Sequence, residues 1–298
     1  MYESFFGLQE QPFSLTPNTH FYLNSKTHQQ ALELLLVALR NREGFIKISG
    51  EVGTGKTLLC RMLLNALEAP FLTAYIPNPG LTPMGLYLAV AEELGVVSER
   101  DRGSHHLLKC LNDRLIELAG QGRQAVLIID EAQAMSETTI EALRLLTNLE
   151  TESTKLLQVV LFGQPELDDM LAQQNLRQLQ QRITFQQKIT PLDKVSVGQY
   201  VHHRLSLAGY NGPPLFDRGA VSLLYRASGG IPRLVNILSH KSLMSAYGQG
   251  HRLIQKKHVK RAIQDTDSVQ MPRFSWLFSV GLLALTCLHF AQIPGVGL

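Results

Sequence analysis

The octapeptide at residues 50–57, Gly-Glu-Val-Gly-Thr-Gly-Lys-Thr, constrains the fold of this chain more than any other feature. It matches the pattern G-x-x-x-x-G-K-[ST], a glycine-rich loop that joins a buried strand to a helix. The neighbouring residues fit that context, because an apolar, β-rich run precedes the loop at Phe45–Ser49 and a helical pattern follows it at Thr57–Leu67. The sequence therefore predicts that this part of the chain adopts an α/β fold.

Further β-rich runs alternate with helical patterns along residues 44–190. The other four predicted strands are Phe71–Ile76, Ala125–Asp130, Leu156–Phe162 and Ile183–Ile189. The helical patterns between them are Leu86–Leu94, His106–Leu118 and Glu137–Glu150, the last with Ser136 as its N-cap. This alternation predicts a five-stranded parallel sheet with helices on both faces, extending over residues 44–190.

The chain on either side of this core is predicted to be helical. Residues 1–43 are interpreted as a lead-in helix and linker. Residues 191–266 are interpreted as a small helical lid, because four helical patterns follow one another without strands between them. Those patterns are Val195–Leu207, Asp217–Ala227, Arg233–Ala246 and Lys257–Ile263.

Residues 267–298 form a basic-flanked, apolar C-terminal segment. The stretch Phe274–Ile293 contains no Asp, Glu, Lys or Arg, and its length is sufficient to cross a bilayer core of about 30 Å. Basic residues lie before this stretch, at Lys256, Lys257, Lys260, Arg261 and Arg273. The positive-inside rule then predicts a single membrane-spanning helix with the body of the protein in the cytoplasm. The alternative interpretation is a buried C-terminal helix.

Composition excludes several other classes of protein. The 298 residues are 45% hydrophobic and 18% charged with a net charge of +3, which excludes a disordered chain and a strongly basic protein that coats nucleic acid. Three widely spaced cysteines, Cys60, Cys110 and Cys287, exclude a disulfide framework and a cysteine-based zinc site. The first residues do not resemble a cleaved secretion signal.

The octapeptide also predicts a phosphate-binding site for ATP. Glycines allow successive backbone N–H groups to approach phosphates closely, and the following helix N-terminus adds positive potential. Lys56 is expected to reach the β- and γ-phosphates, and the Thr57 hydroxyl is expected to ligate Mg²⁺. The predicted nucleotide-binding residues are Gly50, Glu51, Val52, Gly53, Thr54, Gly55, Lys56, Thr57 and Leu58.

Two adjacent carboxylates follow the third predicted strand. Strand alternation is expected to place Asp130 and Glu131 on different sides, so that the two groups divide the work. Asp130 is expected to hold Mg²⁺ through water, and Glu131 to orient and polarise an attacking water molecule. The alternative interpretation is an acidic approach to the next helix, which the helix dipole favours.

Three further side chains are candidate catalytic residues. Gln164 follows the fourth predicted strand and is expected to face the γ-phosphate or the lytic water, although a turn-stabilising role is equally compatible. Arg182, just before the fifth strand, is expected to enter a neighbouring subunit's nucleotide site, with Arg177 as the competing candidate. Arg233, at the start of a lid helix, is expected to sense the γ-phosphate.

The order of these motifs resembles the AAA+ ATPases of the ExeA/GspA type. The residues that carry the resemblance beyond the phosphate loop are Asp130–Gln133, Gly163–Leu167, Gln181–Ile183 and Gly230–Arg233. N-terminal residues add to it at Phe6–Leu8, Pro12-Phe13, Pro17, Phe21-Tyr22 and Glu43–Phe45. The resemblance covers residues 1–265 and implies the roles of first sensor for Gln164, arginine finger for Arg182 and second sensor for Arg233.

The resemblance also implies a function and a set of partners. It implies a homo-oligomeric ATPase at the bacterial inner membrane that uses ATP and Mg²⁺ to assemble or remodel a type IV pilus, of the mannose-sensitive haemagglutinin kind, or a related secretion machine. Partners would be assembly proteins of that machine and the lipid bilayer, and nucleic acid is not expected. The alternatives are a soluble ATPase of DNA transactions, similar to transposition regulators or clamp loaders, and a nucleotide-gated scaffold that scarcely hydrolyses ATP.

Two weaker features leave their alternatives open. The pair Phe21-Tyr22 either flanks the adenine or fills the core. The basic run His251–Arg261 either contacts anionic lipid headgroups or is the solvated face of the last lid helix.

Overall fold

The computed structural model describes residues 1–16, 18–23, 25–96, 103–149, 155–267 and 269. Its centre is a five-stranded sheet in which every paired neighbour is parallel, and the strand order is β2-β3-β4-β1-β5. The strands are β1 Phe45–Gly50, β2 Phe71–Ile76, β3 Gln124–Ile129, β4 Leu157–Gly163 and β5 Phe185–Ile189. The prediction of a five-stranded parallel sheet is confirmed.

The burial of each strand follows from its place in the sheet. All residues of β1 and β4 are buried, whereas most of β5, at the sheet edge, is exposed. The prediction that the fifth strand begins at Ile183 was wrong by two residues. Arg182 and Ile183 instead complete a helical turn, because their backbone N–H groups donate to the carbonyls of Leu179 and Gln180.

Helices cover both faces of the sheet with separate apolar cores. On one face, α2 (Lys26–Arg40) and α3 (Lys56–Ala66) pack against side chains such as Ile48 and Phe162. On the other face lie α4 (Pro83–Glu93), α5 (Gly103–Gly120), α6 (Glu137–Leu146), α7 (Pro165–Leu171) and α8 (Arg177–Gln180). Since one face of each helix is apolar and the central strands are apolar at most positions, both sides of the sheet are excluded from water.

Helix α6 is shorter than the sequence pattern predicts. Ser136 caps its N-terminus as expected, since its Oγ accepts from the Thr139 backbone N–H. The predicted continuation to Glu150 was wrong: the helix ends at Leu146, and Glu150 lies outside the described residues. Thr147 ends the helix with its own side chain, whose hydroxyl donates to the carbonyl of Arg144 at 2.7 Å.

Four helices follow the sheet and pack around a third apolar core. They are α9 (Lys194–Leu207), α10 (Arg218–Ser228), α11 (Pro232–Tyr247) and α12 (Lys256–Gln264). Asp193 and Asp217 cap α9 and α10 by accepting hydrogen bonds from backbone N–H groups three residues later. Together these four helices form the lid.

The N-terminal residues pack against the lid, which the sequence pattern did not predict. Helix α1 (Glu3–Phe6) and the 3₁₀ turn Thr19–Phe21 contribute apolar side chains to the core of the lid. The backbone N–H of Gln9 donates to the carbonyl of Ala208, and the buried Arg204 side chain donates to the carbonyl of Pro12. The first 23 residues therefore extend the lid rather than the sheet.

The predicted membrane segment lies outside the described residues, which end at position 269. Within the part of the chain that the structure describes, no helix combines the length and the apolar character that a membrane crossing requires.

Candidate nucleotide-binding site

A cavity of about 340 Å³ lies where the carboxyl edge of the sheet meets the lid and the N-terminal segment. Parallel strands bring their following loops to one edge, so the loops after β1, β3 and β4 meet there. The lining residues that were predicted from the sequence are Val52, Gly53, Thr54, Gly55, Lys56, Thr57, Leu58, Glu131, Gln164 and Arg233.

The phosphate loop is shaped by left-handed glycines and by its own lysine. Gly53 and Gly55 have φ angles of 81° and 100°, which lie in the left-handed region that is unfavourable for residues with a Cβ. The Lys56 ammonium is buried and donates to the carbonyls of Gly50 at 2.7 Å and Glu51 at 3.0 Å. Burial lowers the pKa of Lys56, whereas the nearby Glu131 and Asp130 carboxylates raise it.

Asp130 is buried beside the first turn of α3. It is only 2% exposed and accepts a hydrogen bond, at 2.9 Å, from the backbone N–H of Glu131. Burial raises the pKa of Asp130 above its usual range, and the nearby Thr57 side chain opposes that shift. A carboxylate and a neighbouring hydroxyl supply the oxygen donors that Mg²⁺ prefers.

Glu131 turns away from Asp130 for a reason other than the one predicted. Strand β3 ends at Ile129, so alternation along a strand does not separate the two carboxylates, and that expectation was wrong. The separation comes from the backbone of Glu131, which is left-handed with φ 51° and ψ 38°. This conformation is uncommon outside glycine, and such strain is typical of functional sites.

Two side-chain amides hold the Glu131 carboxylate. Its Oε2 accepts from Nε2 of Gln133 at 2.5 Å and from Nε2 of Gln164 at 3.0 Å. Gln133 also accepts from the backbone N–H of Gln164, through Oε1 at 2.9 Å, so the loops after β3 and β4 are joined. The structure thus brings Gln164 to Glu131 directly.

Arg233 stands at the lid side of the cavity. It is the second residue of α11, and its backbone N–H donates to the carbonyl of Gly53 at 3.2 Å. A Cβ on Gly53 would lie only 2.7 Å from the Cβ of Arg233, so close contact between lid and loop requires glycine there.

Arg182 lies at the opposite, amino edge of the sheet. Its Nη1 donates to Oγ1 of Thr147 at 2.9 Å, and it lines a separate cavity of about 200 Å³ with Lys155 and the start of β1. Arg177, the competing candidate, is an exposed residue at the start of α8. The structure does not bring either arginine to this chain's own phosphate loop.

The sequence left two roles open for the pair Phe21-Tyr22, and several other lining residues had no clear signal in it. Phe21 and Tyr22 both line the cavity, and Phe21 is also buried in the lid core with the Arg204 guanidinium 4.8 Å above its ring. Tyr200 and Asn236, joined by a 3.0 Å hydrogen bond, also line it, as do Ser25 and His28 of the α2 start. Only the apolar spacing of α2 could have indicated that His28, in its first turn, is buried.

Comparisons with known proteins agree with this geometry. A family model for the AAA domain matches residues 39–171. General secretion pathway protein A of Aeromonas hydrophila is 42% identical over 270 residues, which are 91% of this chain and 49% of that protein. The chain therefore spans about half the length of this curated relative.

Solved structures share the fold at low sequence identity. The Aeropyrum pernix ORC1 protein, solved in complex with DNA, has a TM-score of 0.63 at 19% identity, covering 86% of this chain and 69% of that one. Cdc6p of Pyrobaculum aerophilum has a TM-score of 0.62 at 17% identity, covering 83% and 70%. The RuvB branch migration motor of Thermotoga maritima has a TM-score of 0.54 at 15% identity, covering 82% and 70%.

These comparisons confirm the expectation of an ATPase of the AAA class, with its P-loop α/β fold. The chain therefore carries an AAA ATPase domain and is a relative of General secretion pathway protein A.

Proposed function

We propose that this chain binds ATP with Mg²⁺ in the cavity between sheet and lid and hydrolyses it to drive the assembly of a secretion machine. The observation that carries the proposal is the junction of the phosphate loop, Asp130, Glu131 and Gln164 at one edge of the sheet. Lys56 would neutralise the β- and γ-phosphates, and the backbone N–H groups of residues 53–57 would bind their oxygens.

The metal ion is assigned to Thr57 and Asp130. Thr57 follows the lysine of the phosphate loop and is near enough to Asp130 to lower the pKa of that carboxyl, and Asp130 is almost entirely buried, which suits a carboxylate that meets a cation. A bound Mg²⁺ would neutralise developing charge on the phosphates.

Hydrolysis, rather than nucleotide-gated scaffolding, is favoured by Glu131. Two side-chain amides and a left-handed backbone fix the direction of its carboxylate. An acidic residue that served only to stabilise the next helix through the helix dipole would not need such fixed orientation. Glu131 would accept a proton from the attacking water, while Gln164 holds the carboxylate and is the first sensor. Arg233 would be the second sensor, joining the lid to the phosphate loop.

The site is proposed to be completed by a second copy of the chain. Arg182 lies at the amino edge of the sheet, beside an open cavity and away from its own phosphate loop. In an oligomer that stacks this edge on a neighbour's nucleotide, its guanidinium would stabilise the charge of the transition state.

The process is assigned from the relative and from the sequence. The identity to General secretion pathway protein A supports a role in secretion, and the finer proposal is assembly of a type IV pilus of the mannose-sensitive haemagglutinin kind. Attachment to the inner membrane through Phe274–Ile293 is supported by the basic residues before that apolar stretch.

The catalytic proposal is tested with Glu131→Gln, which removes the base and keeps the shape. Turnover is expected to fall by about 100-fold or more while ATP affinity is retained. Phosphate release and calorimetric binding of Mg-ATP measure the two effects, and Glu137→Gln, at an exposed position of α6, is the matched control. Unchanged phosphate release in Glu131→Gln would contradict the assigned role, and a wild-type chain that binds no Mg-ATP would contradict the whole proposal.

The membrane proposal is tested by alkaline carbonate extraction of membranes from cells that express the full chain. The protein is expected to stay in the pellet, since a spanning apolar helix resists high pH. Release into the supernatant, together with hydrolysis stimulated by double-stranded DNA, would instead support the DNA-transaction alternative.

A further inference from the structure

Arg204 is a buried cation of the lid that the proposed mechanism does not use. It belongs to α9, is 6% exposed and lines the nucleotide cavity. Within the described part of the chain, no Asp or Glu side chain forms an ion pair with it. Burial of a charge costs free energy unless other groups compensate for the lost water. The groups that surround the guanidinium therefore indicate its role.

Two of those groups belong to the N-terminal segment. Nε of Arg204 donates to the carbonyl of Pro12 at 2.5 Å, and its guanidinium carbon lies 4.8 Å from the centroid of the Phe21 ring. A cation over an aromatic face is attracted to it, and more strongly where water is excluded. The preceding residue of α9, His203, donates from Nε2 to the carbonyl of Tyr22 at 3.1 Å. Helix α9 thus holds the segment at Pro12 and again at Tyr22.

A second connection runs from Arg204 through α11 to the same segment. Nη1 of Arg204 donates to the hydroxyl of Tyr200 at 2.8 Å, and that hydroxyl donates to Oδ1 of Asn236 at 3.0 Å. The amide of Asn236 donates in turn to the carbonyl of Ser14 at 3.4 Å. Since α9 and α11 both take part, these hydrogen bonds fix the N-terminal segment to the lid as a unit.

The N-terminal segment lines the cavity with a chemistry different from that of the phosphate loop. Residues 53–57 offer backbone N–H groups and the Lys56 ammonium, which suit phosphate oxygens. Phe21, Tyr22 and Leu23 offer two rings and an apolar side chain, and aromatic faces are suited to a nucleoside base. A nucleotide whose phosphates occupy the loop is therefore expected to meet this segment with its base.

We infer that Arg204 is a positioning residue which fixes the N-terminal segment to the lid and so shapes the part of the cavity that receives the base of a nucleoside triphosphate. The inference rests on the proposed function of this cavity. A segment that is already ordered does not have to lose conformational freedom when the nucleotide binds, which favours binding. Loss of the guanidinium should then weaken the binding of a nucleotide but not that of a phosphate chain alone.

The test compares Mg-ATP with Mg-tripolyphosphate, which has the phosphate chain without base or ribose. Arg204→Met removes the guanidinium and keeps an unbranched apolar side chain. We expect this variant to bind Mg-ATP about 10-fold more weakly than wild type, as the loss of a buried charged hydrogen bond predicts, and Mg-tripolyphosphate within about 2-fold. Calorimetry measures Mg-ATP directly and Mg-tripolyphosphate by its displacement of bound Mg-ATP.

Arg218→Met is the matched control, because it removes an exposed arginine from the start of α10 in the same lid. It should bind both ligands as the wild type does.

A second variant keeps the inference testable if Arg204→Met does not fold. Tyr200→Phe removes the hydroxyl that joins Arg204 to Asn236 and preserves the ring, so we expect about 3-fold weaker binding of Mg-ATP and unchanged binding of Mg-tripolyphosphate. Steady-state kinetics give an independent measurement: in either variant KM for ATP should rise while kcat stays within about 2-fold, because contacts to the base are the same in the ground state and the transition state.

Equal losses of affinity for the two ligands would overturn the inference, since the guanidinium would then act on the phosphates or on the lid as a whole. Unchanged Mg-ATP affinity in Arg204→Met and Tyr200→Phe would also overturn it, because the hydrogen bonds would then serve stability alone. A wild-type chain that binds neither ligand would contradict the proposed function instead.

Discussion

The two edges of the parallel sheet present their cations in opposite ways. At the carboxyl edge, Lys56 is buried, bonded to its own loop and close to two carboxylates. At the amino edge, Arg182 donates to the Thr147 hydroxyl, and an open cavity lies beside it. Among the residues that the structure describes, no carboxylate forms an ion pair with Arg182.

This difference indicates that the cation at the carboxyl edge is positioned by groups of its own chain, whereas the cation at the amino edge is suited to an anion from a partner. A cation that is already bonded and buried is preset for a ligand that enters its own cavity. A half-buried guanidinium with spare donors beside an open cavity is suited to an anion that another molecule supplies. Substitutions at either edge test this distinction.

The largest effect is expected from Arg182→Ala. Hydrolysis by the assembled protein should fall by about 1,000-fold, because an arginine finger acts on the transition state. Mg-ATP affinity of the isolated chain should stay unchanged, because Arg182 is remote from the chain's own phosphate loop. Steady-state phosphate release and calorimetry measure the two quantities.

Arg177→Ala is the control for that experiment, because it removes an exposed arginine from the neighbouring helical turn. Its turnover should stay within about 2-fold of wild type. A parallel loss of Mg-ATP affinity in Arg182→Ala would contradict the comparison between the two edges.

A smaller effect is expected from Thr147→Val, which removes the hydroxyl that accepts from Arg182. Turnover should fall by about 10-fold, because the guanidinium loses the hydrogen bond to Oγ1 of Thr147 that orients it. Thr147→Ser keeps the hydroxyl and should restore most of the rate. Loss of turnover in both variants would indicate that the end of α6, not the orientation of Arg182, is responsible.

The smallest effect concerns stability at the carboxyl edge. The raised pKa of Asp130 means that the folded state binds the proton more tightly than the unfolded state, so the charged form is destabilising above that pKa. Asp130→Asn should therefore raise the free energy of unfolding by about 1 kcal/mol at neutral pH without nucleotide. The gain should disappear as the pH falls below the pKa of Asp130.

Chemical denaturation at two pH values measures that change, and calorimetry should show weaker Mg-ATP binding by the same variant. An unchanged or lower free energy of unfolding of Asp130→Asn at neutral pH would contradict the view that the buried Asp130 carboxylate destabilises the nucleotide-free protein and is retained to bind the metal ion.

Much of the sheet and part of the site could be predicted because the signals are local. Continuous apolar runs predicted β1, β3 and β4 to within about one residue, since strands covered on both faces need apolar side chains throughout. The phosphate loop could be predicted because its glycines and lysine act through the backbone of the same eight residues. The functional roles of Gln164, Arg182 and Arg233 remain predictions.

The errors arose where side chains compete with the backbone. Thr147 ended α6 earlier than its apolar pattern indicated, because its hydroxyl bonds the preceding turn. Glu131 does not continue the strand as its position predicted, since its backbone is left-handed shortly after the end of β3. Neither event changes the hydrophobic pattern, so neither could be inferred from it.

The amino-acid sequence by itself determined the alternation of strands and helices and the loop that follows β1, because periodicity and glycine content act over a few neighbouring residues. Only the tertiary structure decided that His28 lies beside Gly55, that Gln164 holds Glu131, and that Arg182 lies at the far edge of the sheet. These contacts join residues far apart in the chain, and they depend on the order of the strands and on how the helices pack across them.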